Sequence, residues 1–396
     1  MKRKTGTTVR GIRGPIIREN DDLGKIVVTS VMDAAESEGF SLNDRDVVAI
    51  TESIVARSQG NYVTIDHIAD DIRQKINGAA LGVIFPILSR NRFAVCLRGI
   101  ARGCKKIILM LSYPRDEVGN ELVSLDAIEE AGINPYVDNL SLAEYRRLFG
   151  ANKHHFTGVD YVEYYISLIE AEGCEAEVVF ANHACEILQY TDTVLTCDIH
   201  TRIRSKKALI NAGAKLVFGL EDILNKPSDE HGYNTRYGLL GSNKATEDSV
   251  KLFPRDCQHL VENIQQLLFE KTQKNIEVMV YGDGAFRDPQ GMIWELADPC
   301  VSPCYTIGLE GTPHELKLKY LADTEFKDLS GEELKLTIHE RIANKNDDAV
   351  GAMALQGTTP RRLTDLIGSL CDLTSGSGDK GTPIVLVQGY FDSYIQ

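Results

Sequence analysis

The sequence contains no apolar run approaching the roughly 20 residues of a membrane span, so no transmembrane segment is expected. Its start, Met1 to Gly6, is basic but leads into no apolar stretch, so no secretory signal peptide is expected. Paired cysteines are missing too. The 9 cysteines are scattered singly, and the nearest two, Cys300 and Cys304, fit neither a zinc C-x-x-C pair nor a disulfide framework. That usage points to the reducing cytoplasm, with the thiols acting as small buried hydrophobes. Positive charge is in deficit: 43 Lys and Arg against 57 Asp and Glu give a net charge of −14, which argues against a nucleic-acid binder. Arg90, Arg92, Arg98 and Arg102 are the best local basic group and are read first as a solvated face. There is no internal repeat and no low-complexity tract. His154, His155, His183 and His231 lack metal spacing and read as loop or core residues. What remains is ordinary globular composition over 396 residues, enough for one large domain or two smaller ones.

Apolar periodicity switches between helical and extended spacing along the chain. Helices are expected over about 21–38, 65–76, 140–148, 161–172, 206–211, 257–271 and 331–344. A last helix is expected from Thr359, with Pro360 at its first position, to about residue 374. Strands are expected over 47–50, 93–97, 106–111, 177–180, 194–197, 214–219, 276–281 and 384–387. This alternation supports an α/β or α+β class.

Four segments offer chemistry. The loop Ser375 to Pro383 is Gly-rich, so its N–H groups can form an anion-binding nest to which Lys380 adds charge; the alternative is a connector. It is not a P-loop, because it lies between a helix and a strand. Asp160 sits where a loop enters a helix, so it either holds a hard cation or caps the helix. Asp198 ends an apolar strand and is followed by Ile199, His200, Thr201 and Arg202. Open α/β sheets place ligands at such strand ends, and Asp198 with Arg202 makes a metal-and-phosphate pair. Tyr281 to Pro289 is another strand-end loop, read as a tight turn.

In this order, five segments resemble the coenzyme F(420)-0:L-glutamate ligase family: Gly14 to Leu23, Asp46 to Gly60, Gly158 to Asp160, Thr196 to Arg202 and Gly376 to Gly389. The resemblance implies a mixed α/β ligase fold of the α+β class, in an intertwined homodimer. The glutamyl-ligase-like part would be 1–221 plus 355–396, with 222–354 as an inserted α/β subdomain. It implies a ligase that uses GTP (or ATP) with Mg²⁺ or Mn²⁺, and K⁺ as a further ion. A small-molecule carboxylate, F(420)-0, folate-like or other, would be joined to L-glutamate, without nucleic-acid or membrane partners.

Carried over by position, Asp160 and Asp198 would be metal ligands. Gly14, Pro15, Ile16, Ile17, Ser53, Arg57, Glu163, Gly376, Ser377, Gly378, Asp379, Lys380 and Gly381 would hold the nucleotide, and His200 and Arg202 would be catalytic. Arg57 stands where the family has Lys. Glu163, Ile199, Ser377 and Gln388 also depart from its pattern, and Asp283, Asp288 and Glu295 are substitute metal ligands. The alternatives to a ligase are a phosphotransferase or nucleotide hydrolase, and a nucleotide-sensing protein that has lost activity.

Overall fold

The computed structural model describes residues 5–155, 157–284, 286–287, 294–295, 297–345, 361–375 and 378–393. Strands β1 (Thr8–Ile12), β16 (Ile384–Gln388), β2 (Val47–Thr51), β12 (Glu277–Tyr281) and β15 (Cys304–Tyr305) form a five-stranded sheet in that order. β2 and β12 pair in parallel, and the other neighbours are antiparallel. Side chains alternate between faces along each strand. Val48, Ile50, Val278 and Val280 pack against helices α1 (Leu23–Glu38) and α9 (Cys257–Thr272). Val47, Ala49, Met279 and Tyr281 face the other way, in one cluster with Ile367 and Cys371 of α12 (Leu363–Thr374). Because both faces are covered, β2 reads as a continuous apolar run rather than an alternating one. Stretch 222–354 contributes β12 and α9 to this core. Thr359 and Pro360 lie outside the described residues.

A six-stranded sheet has the order β6 (Leu140–Ser141), β7 (Glu175–Phe180), β5 (Lys106–Leu111), β4 (Leu81–Ile84), β8 (Thr193–Thr196) and β9 (Leu216–Gly219). All its pairings are parallel except that of the edge strand β6. Helices α3 (Ile65–Ile76), α4 (Ala94–Arg102) and α7 (Tyr161–Ala171) cover one face, through Ile68, Leu97 and Tyr165 among others. A 3-10 turn, Ala184–Gln189, and helix α8 (Arg202–Asn211) cover the opposite face through Ile187 and Leu209. The chain runs outward from β4 through β5 to β7, then returns to place β8 and β9 on the other side of β4. The strand order therefore reverses between β4 and β8, and such switch points open a crevice at the carboxyl ends of the strands.

The expected strand over 93–97 is instead the start of α4. Ala94, Val95, Cys96 and Leu97 of this helix are all buried and form an unbroken apolar run of strand length, and its polar stripe, Arg98 and Arg102, begins only beyond that run. Gly99 permits the fit: a Cβ there would lie 2.7 Å from Cβ of Ile68.

The smaller elements are helices α2 (Glu52–Ser58), α5 (Leu125–Glu130), α6 (Leu142–Phe149), α10 (Leu318–Asp323) and α11 (Gly331–Ala343). A three-stranded sheet joins β10 (Asn243–Lys244), β11 (Ser249–Lys251) and β3 (Tyr62–Thr64), and β13 (Phe286–Arg287) pairs with β14 (Trp294–Glu295). The architecture is mixed α/β with several sheets, consistent with the α+β class. No helix among the described residues is long and apolar enough to cross a membrane.

Candidate functional site

At the switch point, Asp198 follows β8 and is 1% exposed. Its Oδ2 accepts hydrogen bonds from the hydroxyls of Thr201 and Ser205, both at 2.7 Å. Its Oδ1 is buried without a hydrogen-bond partner among the described residues. Burial raises the Asp198 pKa, the two hydroxyls oppose that, and the nearby Glu117 carboxylate adds to it. Successive backbone N–H groups follow at the amino end of α8. Ile199, His200 and Thr201 donate at 2.6, 3.0 and 2.8 Å to the carboxylate of Glu117, which stands on the loop after β5. Such a nest at a helix start is an anion seat, and here the protein's own glutamate occupies it.

Arg202 opens α8, and its Nη1 donates to the carbonyl of Ile199. Its Nε forms a 3.7 Å ion pair with Oε2 of Glu221, too long for a hydrogen bond, and neither buried atom has a hydrogen-bond partner among the described residues. An unsatisfied buried polar atom costs about 1–3 kcal/mol, so the unpartnered Oδ1 of Asp198 near this stretched ion pair makes the sheet end a candidate place for a ligand. His200 is exposed beside them.

The loop after β4 carries Arg92, which donates to Oδ1 of Asp298 at 2.7 Å and to Oδ2 of Asp283 at 2.5 Å. Asp283 follows β12, so the carboxyl ends of both sheets meet here. Asp298 is 0% exposed, and its Oδ2 accepts from the Asp283 backbone N–H at 2.6 Å. Burial pushes the Asp283 pKa up to about 7; the Asp298 charge adds to this and Arg92 opposes it. Burial alone would lower the Arg92 pKa, but the Asp298 and Asp283 charges leave it raised. Nearby, Glu52 after β2 forms a buried pair with Lys251 at 2.7 Å. Burial raises the Glu52 pKa while Lys251 pulls it down. Arg92 is thus no part of a solvated face. Its partners lie 191 and 206 positions away, beyond the reach of local pattern.

The expected nucleotide residues gather elsewhere, at the outer edge of the five-stranded sheet. Gly14 donates from its backbone N–H to the carbonyl of Gly381 at 3.2 Å. Arg57 donates from Nε to the carbonyl of Ile17 at 2.5 Å. Pro15, Arg13 and Lys380 line an open cleft of about 1120 Å³. Pro15, Ile16, Gly378, Asp379, Lys380 and Gly381 are exposed, and Ser53 is half-buried in α2. Gly376, Ser377 and Asp288 lie outside the described residues, as does the side chain of Glu295. In the six-stranded sheet unit, Asp160 caps α7 by accepting from the Glu163 N–H at 3.1 Å. Both Asp160 oxygens also accept from Arg146, at 2.7 and 3.1 Å. Glu163 is exposed and stands 3.9 Å from Arg146.

A metal fits this arrangement poorly. Both Asp160 oxygens are engaged, and no hydrogen bond or ion pair among the described residues joins Asp160 to Asp198. Among the described residues, no three or more His, Cys, Asp or Glu side chains are grouped to hold an ion.

Fold and site together define a mixed α/β protein whose Arg202 and buried Asp198 stand at a topological switch point, the place where open sheets bind ligands. The sequence profile of the F420-0:Gamma-glutamyl ligase family matches residues 11–389, and the chain belongs to that family. It is therefore an enzyme of a ligase family. None of the curated proteins compared with the chain matches it.

Proposed function

We propose that the chain is an acid–amino-acid ligase. A nucleoside triphosphate, with GTP the expected donor, transfers its terminal phosphoryl group to the carboxylate of a small acid. The amine of L-glutamate then attacks the acyl phosphate, forming a γ-glutamyl-type amide and releasing inorganic phosphate. Family membership over 11–389 carries this reading. Two features support it. The cleft beside Pro15 has Arg13 and Lys380 to offer a polyphosphate, and the switch point sets a row of backbone N–H donors beside a buried carboxylate. In this reading Asp198 takes the proton that the attacking amine sheds, since burial raises its pKa. Arg202 offers its Nε to a developing anionic oxygen, and His200 contacts substrate at the rim.

The test is phosphate release from GTP with F(420)-0 or another carboxylic acid, with and without L-glutamate. Release that requires both the acid and the amino acid is expected. Equal release without any amino acid overturns the ligase in favour of a hydrolase. Tight GTP binding with no release across a panel of acids overturns it in favour of a sensor.

A further inference from the structure

Cys257 meets Cys300 and Cys304 where helix α9 packs on the edge strand β15. Cys304 lies on β15, opposite Val280 of β12, and packs against the apolar cluster that contains Cys257, the first residue of α9. Cys300 stands close by on the chain leading into β15, its sulfur 3.3 Å from the Tyr237 hydroxyl. None of the three is in a disulfide. Among the described residues they make up no group that could hold a metal ion.

The surroundings make Cys304 the anionic member. Asp256 gives α9 no side-chain cap, which leaves the first N–H groups of this 16-residue helix in need of an acceptor. The Cys304 sulfur supplies one: it accepts from the Cys257 thiol and from the Cys257 backbone N–H. The thiol bond lowers the Cys304 pKa most, and the N–H and the Arg236 charge add to this against burial and the Asp256 carboxylate. The same thiol bond, with burial, raises the pKa of Cys257. The Cys257 proton also has a second acceptor, the Arg255 carbonyl, 3.6 Å from the sulfur. Cys257 is buried, whereas Cys304 lines a cleft of about 580 Å³ together with Gln258, Glu262, Tyr305 and Glu310. The charged groups lining this cleft are two carboxylates, which repel an anionic reagent and leave entry to a small neutral one.

We propose that Cys304 and Cys257 are a peroxide-responsive pair, with Cys304 as the sulfur that is oxidised and Cys257 as the thiol that resolves it. The Cys304 thiolate attacks one oxygen of hydrogen peroxide. The O–O bond breaks, leaving a sulfenic acid on Cys304 and a hydroxide that solvent protonates. Cys257 then gives up its proton and attacks the Cys304 sulfur. The S–O bond breaks, the departing hydroxide takes that proton as water, and a Cys257–Cys304 disulfide forms. Two electrons leave the two sulfurs, and one peroxide becomes two waters. The new bond staples β15 to α9 and fixes the segment running back to Asp298, the partner of Arg92. This chemistry is independent of amide formation.

The experiment treats the full chain, freed of reductant, with limiting hydrogen peroxide, caps it with N-ethylmaleimide and maps its peptides by mass spectrometry. A linked Cys257–Cys304 peptide that dithiothreitol removes is expected. Cys304 should lose its free thiol at least about 10-fold faster than Cys104, because thiolate is the reacting form. Cys104 is also partly exposed, but burial pushes its thiol up to about 12. Cys257→Ser should leave Cys304 as a sulfenic acid that dimedone traps, and Cys304→Ser should leave Cys257 unoxidised. Circular dichroism checks that both variants are folded, and the linkage in the wild type needs neither of them.

The absence of a Cys257–Cys304 peptide from the oxidised wild type overturns the proposal. So does oxidation of Cys304 no faster than that of Cys104, or dimedone labelling of Cys257 in Cys304→Ser. A Cys300–Cys304 bond in its place gives the resolving role to Cys300, and linkage by glutathione disulfide but not by peroxide removes the oxidant; either result also refutes it.

Discussion

Arg92→Met tests whether the junction of the two sheets is locked by charge. In the wild type the guanidinium is 14% exposed and serves the fully buried carboxylate of Asp298 and that of Asp283, which is 38% exposed. The substitution keeps much of the apolar stem but removes both charge-assisted bonds. Each is worth about 1.5–3 kcal/mol, and removing one partner of a buried pair costs about 3–5 kcal/mol. The more exposed Asp283 is rehydrated easily, so Asp298 dominates and the expected loss is about 3–5 kcal/mol. Urea unfolding followed by circular dichroism at neutral pH measures it. Adding Asp298→Asn removes the stranded charge while keeping an acceptor for the Asp283 N–H. The double variant should therefore be more stable than the sum of the single effects allows, by about 1–3 kcal/mol. Because Asp298 is buried, raising the salt should change the loss little. A loss below about 1 kcal/mol, or one abolished by salt, would mean a hydrated pair of surface type and would refute the reasoning.

Two further outcomes follow from the same contacts. Asp160→Ala removes a helix cap and the partner of Arg146, so stability should fall by about 1–2 kcal/mol. Its kcat/KM per folded molecule should stay within about twofold of the wild type; a larger drop would return Asp160 to the reaction. The Asp283 pKa is raised to about 7 when folded, from about 3.9 when unfolded, so folding favours the protonated acid. That contribution is fully present below the unfolded value and is lost as pH rises toward and past 7. Asp283→Asn, measured by denaturation at pH 5 and pH 8, should gain stability relative to the wild type at the higher pH; a gap independent of pH would contradict this.

The sequence made some of this legible. β2 and β16 stand out because each is an unbroken apolar run, covered on both faces in the fold. Asp198 stands out because polar residues at the end of a buried strand are where such sheets bind ligands. The same rule points to Arg115, Asp116 and Glu117 after β5, the signal by which Glu117 was findable. What stayed hidden depended on distant partners or on a late polar face. The competing roles of Asp160 could be separated only by Arg146, one turn into a different helix. α4 hides its period because it opens on an unbroken apolar run, Ala94 to Leu97, with Arg98 and Arg102 marking its polar face only afterwards. Arg92 resembles its exposed neighbours in composition, yet Arg98 and Arg102 reach Glu172 near the surface while Arg92 turns inward to Asp298.

The loop that carries Glu117 is held by the residue before it. Asp116, the preceding residue, is buried and accepts from the N–H of Leu88 at 2.7 Å, of Val118 at 3.1 Å and of Asn120 at 2.8 Å, and from the Asn120 side chain at 2.9 Å. Burial pushes its pKa up to about 6, and these donors pull against that. Asp116 thereby pins the loop after β5 to the loop after β4, which ends in Arg92 and its bridge to the five-stranded sheet. Glu117 contributes its side chain to the nest, but it does not hold the loop.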